Sequence, residues 1–178
     1  YLLESNDLVG RKLVTFMDTM LEEIEKKQFE PRYQSIADIL TTIKRVWERD
    51  YVWLSIEIIM DKDIIYQISE DILQVVFDNL ILNSVQQNEN IQKLIVTIYV
   101  EEIGGSLKIK YCDNGKGLDD KYKTDPMKIL EVHETTRTNG HGLGMWIVNN
   151  TCIMSGGEIQ KIGGEKGFEI EFIIGGKI

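Results

Sequence analysis

Gly140-His141-Gly142-Leu143-Gly144-Met145-Trp146-Ile147-Val148 is the stretch on which the reading of this chain turns. Three glycines at alternate positions run directly into Leu143, Met145, Trp146, Ile147, Val148 and Ile153, a pattern that predicts a buried helix. A glycine-rich turn opening a helix offers free backbone N–H groups and the positive end of the helix dipole, which suits phosphate oxygens. The spacing is not that of a P-loop, Gly-x-x-x-x-Gly-Lys-Ser/Thr, and no P-loop occurs in the chain. It is not a dinucleotide fingerprint either, because the preceding Thr135-Thr136-Arg137-Thr138-Asn139 reads as a polar loop rather than a strand. Taken alone, the turn is equally well read as a tight connection that caps a core helix.

Its company shifts the balance. Upstream lie Asn79-Leu80-Ile81-Leu82-Asn83-Ser84 and then Asp113-Asn114-Gly115-Lys116-Gly117, while Ser155-Gly156-Gly157 and Lys166-Gly167-Phe168 follow. In that order the set resembles the N box, G1 box, G2 box and closing glycine elements of the GHKL ATPase superfamily, and within it the catalytic domain of a sensor histidine kinase. The resemblance covers about residues 51 to 178. It implies an α/β sandwich of the Bergerat type: a mixed, largely antiparallel sheet with helices on one face. It also implies ATP and Mg²⁺ as ligands. Adenine would sit against Asp113, with Gly115 and Gly117 letting the backbone pass close to the base. Asn83 would hold the metal, and Thr136, Arg137, Gly140, His141, Gly142, Leu143 and Gly144 would line the phosphates. Asn79, Asn83 and Arg137 are the candidate catalytic residues, the last approaching the γ-phosphate.

Position 79 carries the most mechanistic information. Gyrase-like and chaperone-like members have a glutamate there as general base. An asparagine amide cannot take a proton from water at neutral pH, so transfer of the γ-phosphoryl group to a partner side chain is expected in place of rapid hydrolysis. The chain departs from the histidine kinase pattern in two further places. Gln86 and Gln87 stand where a basic residue and a tyrosine or histidine are common, and the lid has no F-box phenylalanine. Arg137, His141 and Lys116 are the cations available to compensate.

The 178 residues suffice for one domain with a full core and an appendage. A net charge of −9 argues against nucleic acid as the main partner. No apolar run is long enough to span a bilayer, and a cytoplasmic location is expected, as such or as the cytoplasmic part of a membrane-anchored sensor. Cys112 and Cys152 form no metal-type pair and read as reduced thiols. Gly10 is the only glycine before residue 104, so the first half should be mainly helical and the second rich in strands and turns.

Taken in order, residues 5 to 29 and 36 to 47 carry two helical stripes separated near Pro31, predicting a helical hairpin over 1 to 50 ahead of the domain at 51 to 178. That hairpin suits either a dimerisation or linker element or a plain helical support. Residues 1 to 132 contain no histidine, so the phosphoacceptor would lie outside this chain. Tyr51 to Met60 and Ile64 to Ile68 read as strands, followed by a helix from Ser69 to Gln87 whose core side is Ile72, Leu73, Val75, Val76, Leu80 and Leu82. Leu94 to Glu101 and Ser106 to Cys112 form a hairpin at Gly104-Gly105 that delivers Asp113. Residues 118 to 139 read as a lid. Glu158 to Ile162 and Gly167 to Ile174 close the chain as a hairpin, with Phe168, Ile170, Phe172 and Ile174 buried and Glu169 and Glu171 exposed.

Three readings follow. The first is a histidine kinase catalytic domain, a homodimer in its full-length form, acting on a phosphoacceptor helix of the same longer protein or of a partner, with a response regulator downstream. The second is an ATP-driven conformational switch. The third is a degenerate nucleotide-binding scaffold.

Overall fold

The computed structural model describes residues 31–131, 143–164 and 166–175. In chain order the elements are β1 (Arg32–Ser35), α1 (Ile36–Asp50), β2 (Leu54–Ile59), β3 (Ile65–Ile68), α2 (Glu70–Gln87), β4 (Leu94–Ile103), β5 (Ser106–Asp113), two 3-10 turns (Asp120–Tyr122 and Pro126–Leu130), α3 (Gly144–Met154), β6 (Glu158–Gly163) and β7 (Glu169–Ile174). A five-stranded sheet has the order β2-β4-β5-β7-β6. β2 and β4 run parallel, with α2 in the connection between them, and every other pairing is antiparallel. The expected α/β sandwich with a mixed, largely antiparallel sheet is therefore present.

Alternation along the strands makes the layers. Leu94, Val96, Ile98 and Val100 of β4, Leu107, Ile109 and Tyr111 of β5, and Ile170, Phe172 and Ile174 of β7 are buried against the helices. α2 contributes Leu73, Val76, Phe77, Leu80, Ile81, Ser84 and Val85 to the same core. Leu82, grouped with the core from sequence, is instead 37% exposed. It lies about 100° round the helix from Ile81, in the row that continues from Val75 and Asp78. The opposite sheet face is polar. Lys110 pairs with Glu169 at 2.9 Å and Lys161 with Glu169 at 3.0 Å, so Glu169 and Glu171, expected to be exposed, are half-buried beneath lysines.

The helix expected over residues 5 to 29 lies outside the described residues, and the short connection expected ahead of α1 contains a strand. Arg32–Ser35 forms a strand that pairs antiparallel with β3, and α1 then packs on β2 and α2 in the compact unit that starts at Pro31. Ser35 caps α1 by accepting the Asp38 N–H at 3.0 Å. Farther along α1, Glu48 accepts the Ile56 N–H at 2.7 Å and Lys44 donates to the Ile56 carbonyl, while the two side chains pair at 3.1 Å. The central backbone groups of the edge strand β2 are thereby occupied.

α3 ends in a Schellman motif: Gly156, at φ 77°, donates to the Ile153 carbonyl at 3.0 Å and Gly157 to the Cys152 carbonyl at 2.9 Å. The first part of the expected lid is anchored rather than loose, since Leu118, Tyr122 and Leu130 are buried in the core.

Candidate nucleotide site

Two asparagines one helical turn apart on α2 meet the first residue of α3. A Cβ placed on Gly144 would lie 3.2 Å from Asn83 Nδ2, 3.3 Å from Asn83 Oδ1 and 3.5 Å from Asn79 Oδ1. Only a glycine lets the α3 backbone come this close without displacing those amides. No side chain caps the N-terminus of α3, whose N-cap position is Leu143. Its opening N–H groups are the donors that anions meet at helix N-termini. Asn79 donates to the Val75 carbonyl at 2.8 Å, which fixes its amide and leaves its Oδ1 on the Gly144 side. Asn83 is half-buried, and its amide makes no hydrogen bond among the described residues. Its carbonyl oxygen is therefore available to a hard cation, while the adjacent N–H groups suit phosphate oxygens, so this donor set fits Mg²⁺ bound together with a nucleotide.

Asp78, next to Asn79, faces elsewhere: it accepts from Trp47 Nε1 and from Gln74 Nε2, both at 2.8 Å. It is committed to holding α2 against α1.

Asp113 ends β5 and is 7% exposed. Its Oδ1 accepts two backbone N–H groups, from Gly115 and Phe168, both at 2.9 Å. Its Oδ2 accepts from Ser84 Oγ at 2.6 Å, and Ser84 Oγ is in turn 2.7 Å from the Tyr111 hydroxyl. Burial holds the Tyr111 phenol well above its usual pKa, so it remains protonated. The G1 turn is pinned from α2 as well. Asn88 Oδ1 accepts the Lys116 N–H at 2.9 Å, and its Nδ2 donates to the Ser84 carbonyl at 2.7 Å. Asn114 extends the sheet, accepting the Ile95 N–H at 2.7 Å. Gly117, at φ 78°, packs against the β6–β7 turn: a Cβ there would lie 2.8 Å from the Gly164 carbonyl oxygen.

Asn79, Asn83, Asp113, Gly115, Gly117, Leu143 and Gly144 are thus gathered along one helix and two turns. Thr136, Arg137, Gly140, His141 and Gly142 lie outside the described residues. Sequence reasoning did not single out Ser84, Asn88 or Tyr111 as parts of the site. Ser84 and Asn88 carried a signal nonetheless, as polar residues four apart on the helix face that turns inward at its C-terminal end.

Buried core, mixed sheet and this gathering of amides, carboxylate and glycines describe a GHKL-type nucleotide-binding domain. Residues 68–175 match the family of Histidine kinase-, DNA gyrase B-, and HSP90-like ATPases, and the chain belongs to that family. It is 34% identical over 95 residues to the sensor histidine kinase ZraS of Escherichia coli O157:H7, an alignment spanning 53% of this chain and 19% of that protein. Among solved structures, full-length ShkA in complex with AMPPNP superposes with a TM-score of 0.65 at 19% identity, covering 82% of this chain and 31% of ShkA. The catalytic domain of histidine kinase ThkA gives a TM-score of 0.64 at 18% identity, covering 81% of this chain and 95% of that domain. These structures share the fold. Among the described residues, no helix is long and apolar enough to cross a membrane.

Proposed function

We propose that this chain is the Mg·ATP-binding catalytic domain of a sensor histidine kinase, transferring the γ-phosphoryl group to a histidine outside the chain in two-component signalling. One observation carries the reading. Among the described residues, the surface where α2 meets Gly144 presents the amides of Asn79 and Asn83, while Asp78, next to Asn79 in the chain, is held by Trp47 and Gln74. A site arranged in this way binds and orients ATP without deprotonating water, which suits transfer to a nucleophile supplied from elsewhere.

In this reading Asp113 receives the adenine amino group through Oδ2. Asn83 would hold Mg²⁺, which when bound neutralises phosphate charge and orients the phosphates. The free N–H groups at the start of α3 would take phosphate oxygens together with the turn from Gly140, and Asn79 would hydrogen-bond at the same place as a neutral amide. Arg137 would approach the γ-phosphate, with Thr136 and His141 beside it. The incoming imidazole nitrogen forms the new P–N bond, the β–γ bridging bond breaks, and ADP leaves. Catalysis is then positioning and electrostatic stabilisation.

Calorimetry in Mg²⁺ buffer, with phosphate release followed in parallel, tests the proposal. ATP should bind, Asn83→Ala and Asp113→Ala should each abolish binding, and phosphate release by the chain alone should be very slow. Fast release by the chain alone would refute phosphotransfer as the function. Absence of binding by the folded native chain would refute the site itself.

A further inference from the structure

We infer that Tyr111 and Ser84 set the base specificity of this site, by fixing the direction of a chain of protons that ends on Asp113. The inference deepens the ATP-site reading and rests on it. Asp113 Oδ1 is filled by the N–H groups of Gly115 and Phe168, both at 2.9 Å. Oδ2 has the Ser84 hydroxyl at 2.6 Å. An ionised carboxylate only accepts, so Ser84 is the donor in that bond. A hydroxyl has one proton, and Ser84 has committed it. The 2.7 Å contact between Ser84 Oγ and the Tyr111 hydroxyl must then run from the phenol to the serine. Tyr111 is 0% exposed, so bulk water does not compete for its proton.

The order is Tyr111 to Ser84 to Asp113, and it leaves one acceptor site on Oδ2. A base held there has to bring a proton. The 6-amino group of adenine does so, whereas a 6-oxo purine presents a second acceptor and is repelled. The discrimination depends on Oδ2 presenting its remaining lone pair in a fixed direction, which the bond from Ser84 sets. If Ser84 is removed, the space beside Oδ2 admits a water, which can donate both to the carboxylate and to a 6-oxo group. If the Tyr111 hydroxyl is removed, Ser84 loses the donor that polarises its own O–H towards Asp113, and the Ser84–Asp113 bond weakens without being lost. Ser84 is thus a positioning residue acting through Asp113, and Tyr111 acts through Ser84.

The test compares ATP with inosine triphosphate, which has a 6-oxo group in place of the 6-amino group. Affinities would be measured by calorimetry in Mg²⁺ buffer for the native chain, Ser84→Ala, Ser84→Thr and Tyr111→Phe. A hydrogen bond to a charged group corresponds to about 10- to 100-fold in affinity, and the native chain should prefer ATP by a factor in that range. Ser84→Ala should shrink the preference about tenfold and Tyr111→Phe about threefold, as full and indirect loss of one such bond. Ser84→Thr, which keeps the hydroxyl, should restore it. A purely structural role would weaken both nucleotides alike. An unchanged ratio in Ser84→Ala and Tyr111→Phe therefore overturns the inference while the ATP site stands. Equal native affinity for the two nucleotides also overturns it. A folded native chain that binds neither removes the site and the inference together. Tyr111→Phe keeps the ring that fills the core, so it decides the matter even if Ser84→Ala fails to fold.

Discussion

Asn88 and Gly115 occupy one space between them, and exchanging their volumes should reveal how the G1 turn is held. A Cβ built on Gly115 falls 2.3 Å from both Nδ2 and Oδ1 of Asn88 and 2.4 Å from its Cγ. Gly115 is not among the glycines with positive φ, so its backbone accepts alanine, and the nearest obstacle is the Asn88 amide. Gly115→Ala should force the Asn88 amide out. That breaks its bonds to the Ser84 carbonyl at 2.7 Å and the Lys116 N–H at 2.9 Å. Two neutral hydrogen bonds at about 1 kcal/mol each, with the penalty for a buried group left unpaired, give about 2–4 kcal/mol. Asn88→Ala loses the same bonds and should cost about 2–3 kcal/mol. In the double variant the new methyl enters the space the amide has left. The two costs should then fail to add by about 1–2 kcal/mol, within the range for residues in direct contact. Urea denaturation of the four proteins, with constant slopes, measures this coupling. Costs that add within about 0.5 kcal/mol would refute the reasoning, as would a neutral Gly115→Ala in the native background.

Three other expectations concern parts of the chain away from the nucleotide. Glu48→Ala releases the Ile56 N–H at the edge of β2; it should destabilise by about 1 kcal/mol and increase concentration-dependent association in sedimentation relative to the native chain. Burial pushes the Cys152 thiol up from 9.0 to about 12, so maleimide labelling at pH 8 should proceed only as fast as unfolding exposes it. Because the folded value lies above the unfolded one, Cys152's contribution to stability should be intact below about pH 9 and decline as pH rises towards 12. Glu169 has its carboxyl held low by hydrogen bonds from Lys110 and Lys161, so its contribution is present above the ordinary value of 4.5 and lost as pH falls through the lowered one. Glu169→Gln should therefore flatten the acid limb of a stability–pH curve, at a cost of about 0.5 kcal/mol at neutral pH, since surface pairs are weak. An unchanged acid limb would show that the lysines do not act on this carboxyl.

Much of the fold was legible because its signals are local. Strict alternation from Leu107 to Tyr111 fixed which face of β5 is buried, and the two-residue turn at Gly104-Gly105 fixed the register of β4 on β5, with Ile103 opposite Ser106. Helix ends were equally readable at Ser69, where the N-cap position was correct although no side-chain bond forms there, and at Gly156-Gly157. Other features were not legible, because they depend on what a residue meets across space. Arg32–Ser35 is polar and short, and it becomes a strand only because β3 offers it an edge. Leu82 was assigned to the core by hydrophobicity, whereas helix rotation places it at the surface.

The sequence by itself determined the inventory of the site: two asparagines four apart, an aspartate before a glycine turn, and glycines opening a buried helix. Residue type and spacing along one chain are enough to say what chemistry is on offer. Only the tertiary structure decided how those groups are engaged. It turned Asp78 towards Trp47, leaving the amides of Asn79 and Asn83 to face Gly144. It also joined Tyr111, Ser84 and Asp113 from β5 and α2 into one hydrogen-bonded line. Hydrogen bonds act over about 3 Å and are indifferent to separation in sequence, so their partners appear only once the chain has closed on itself.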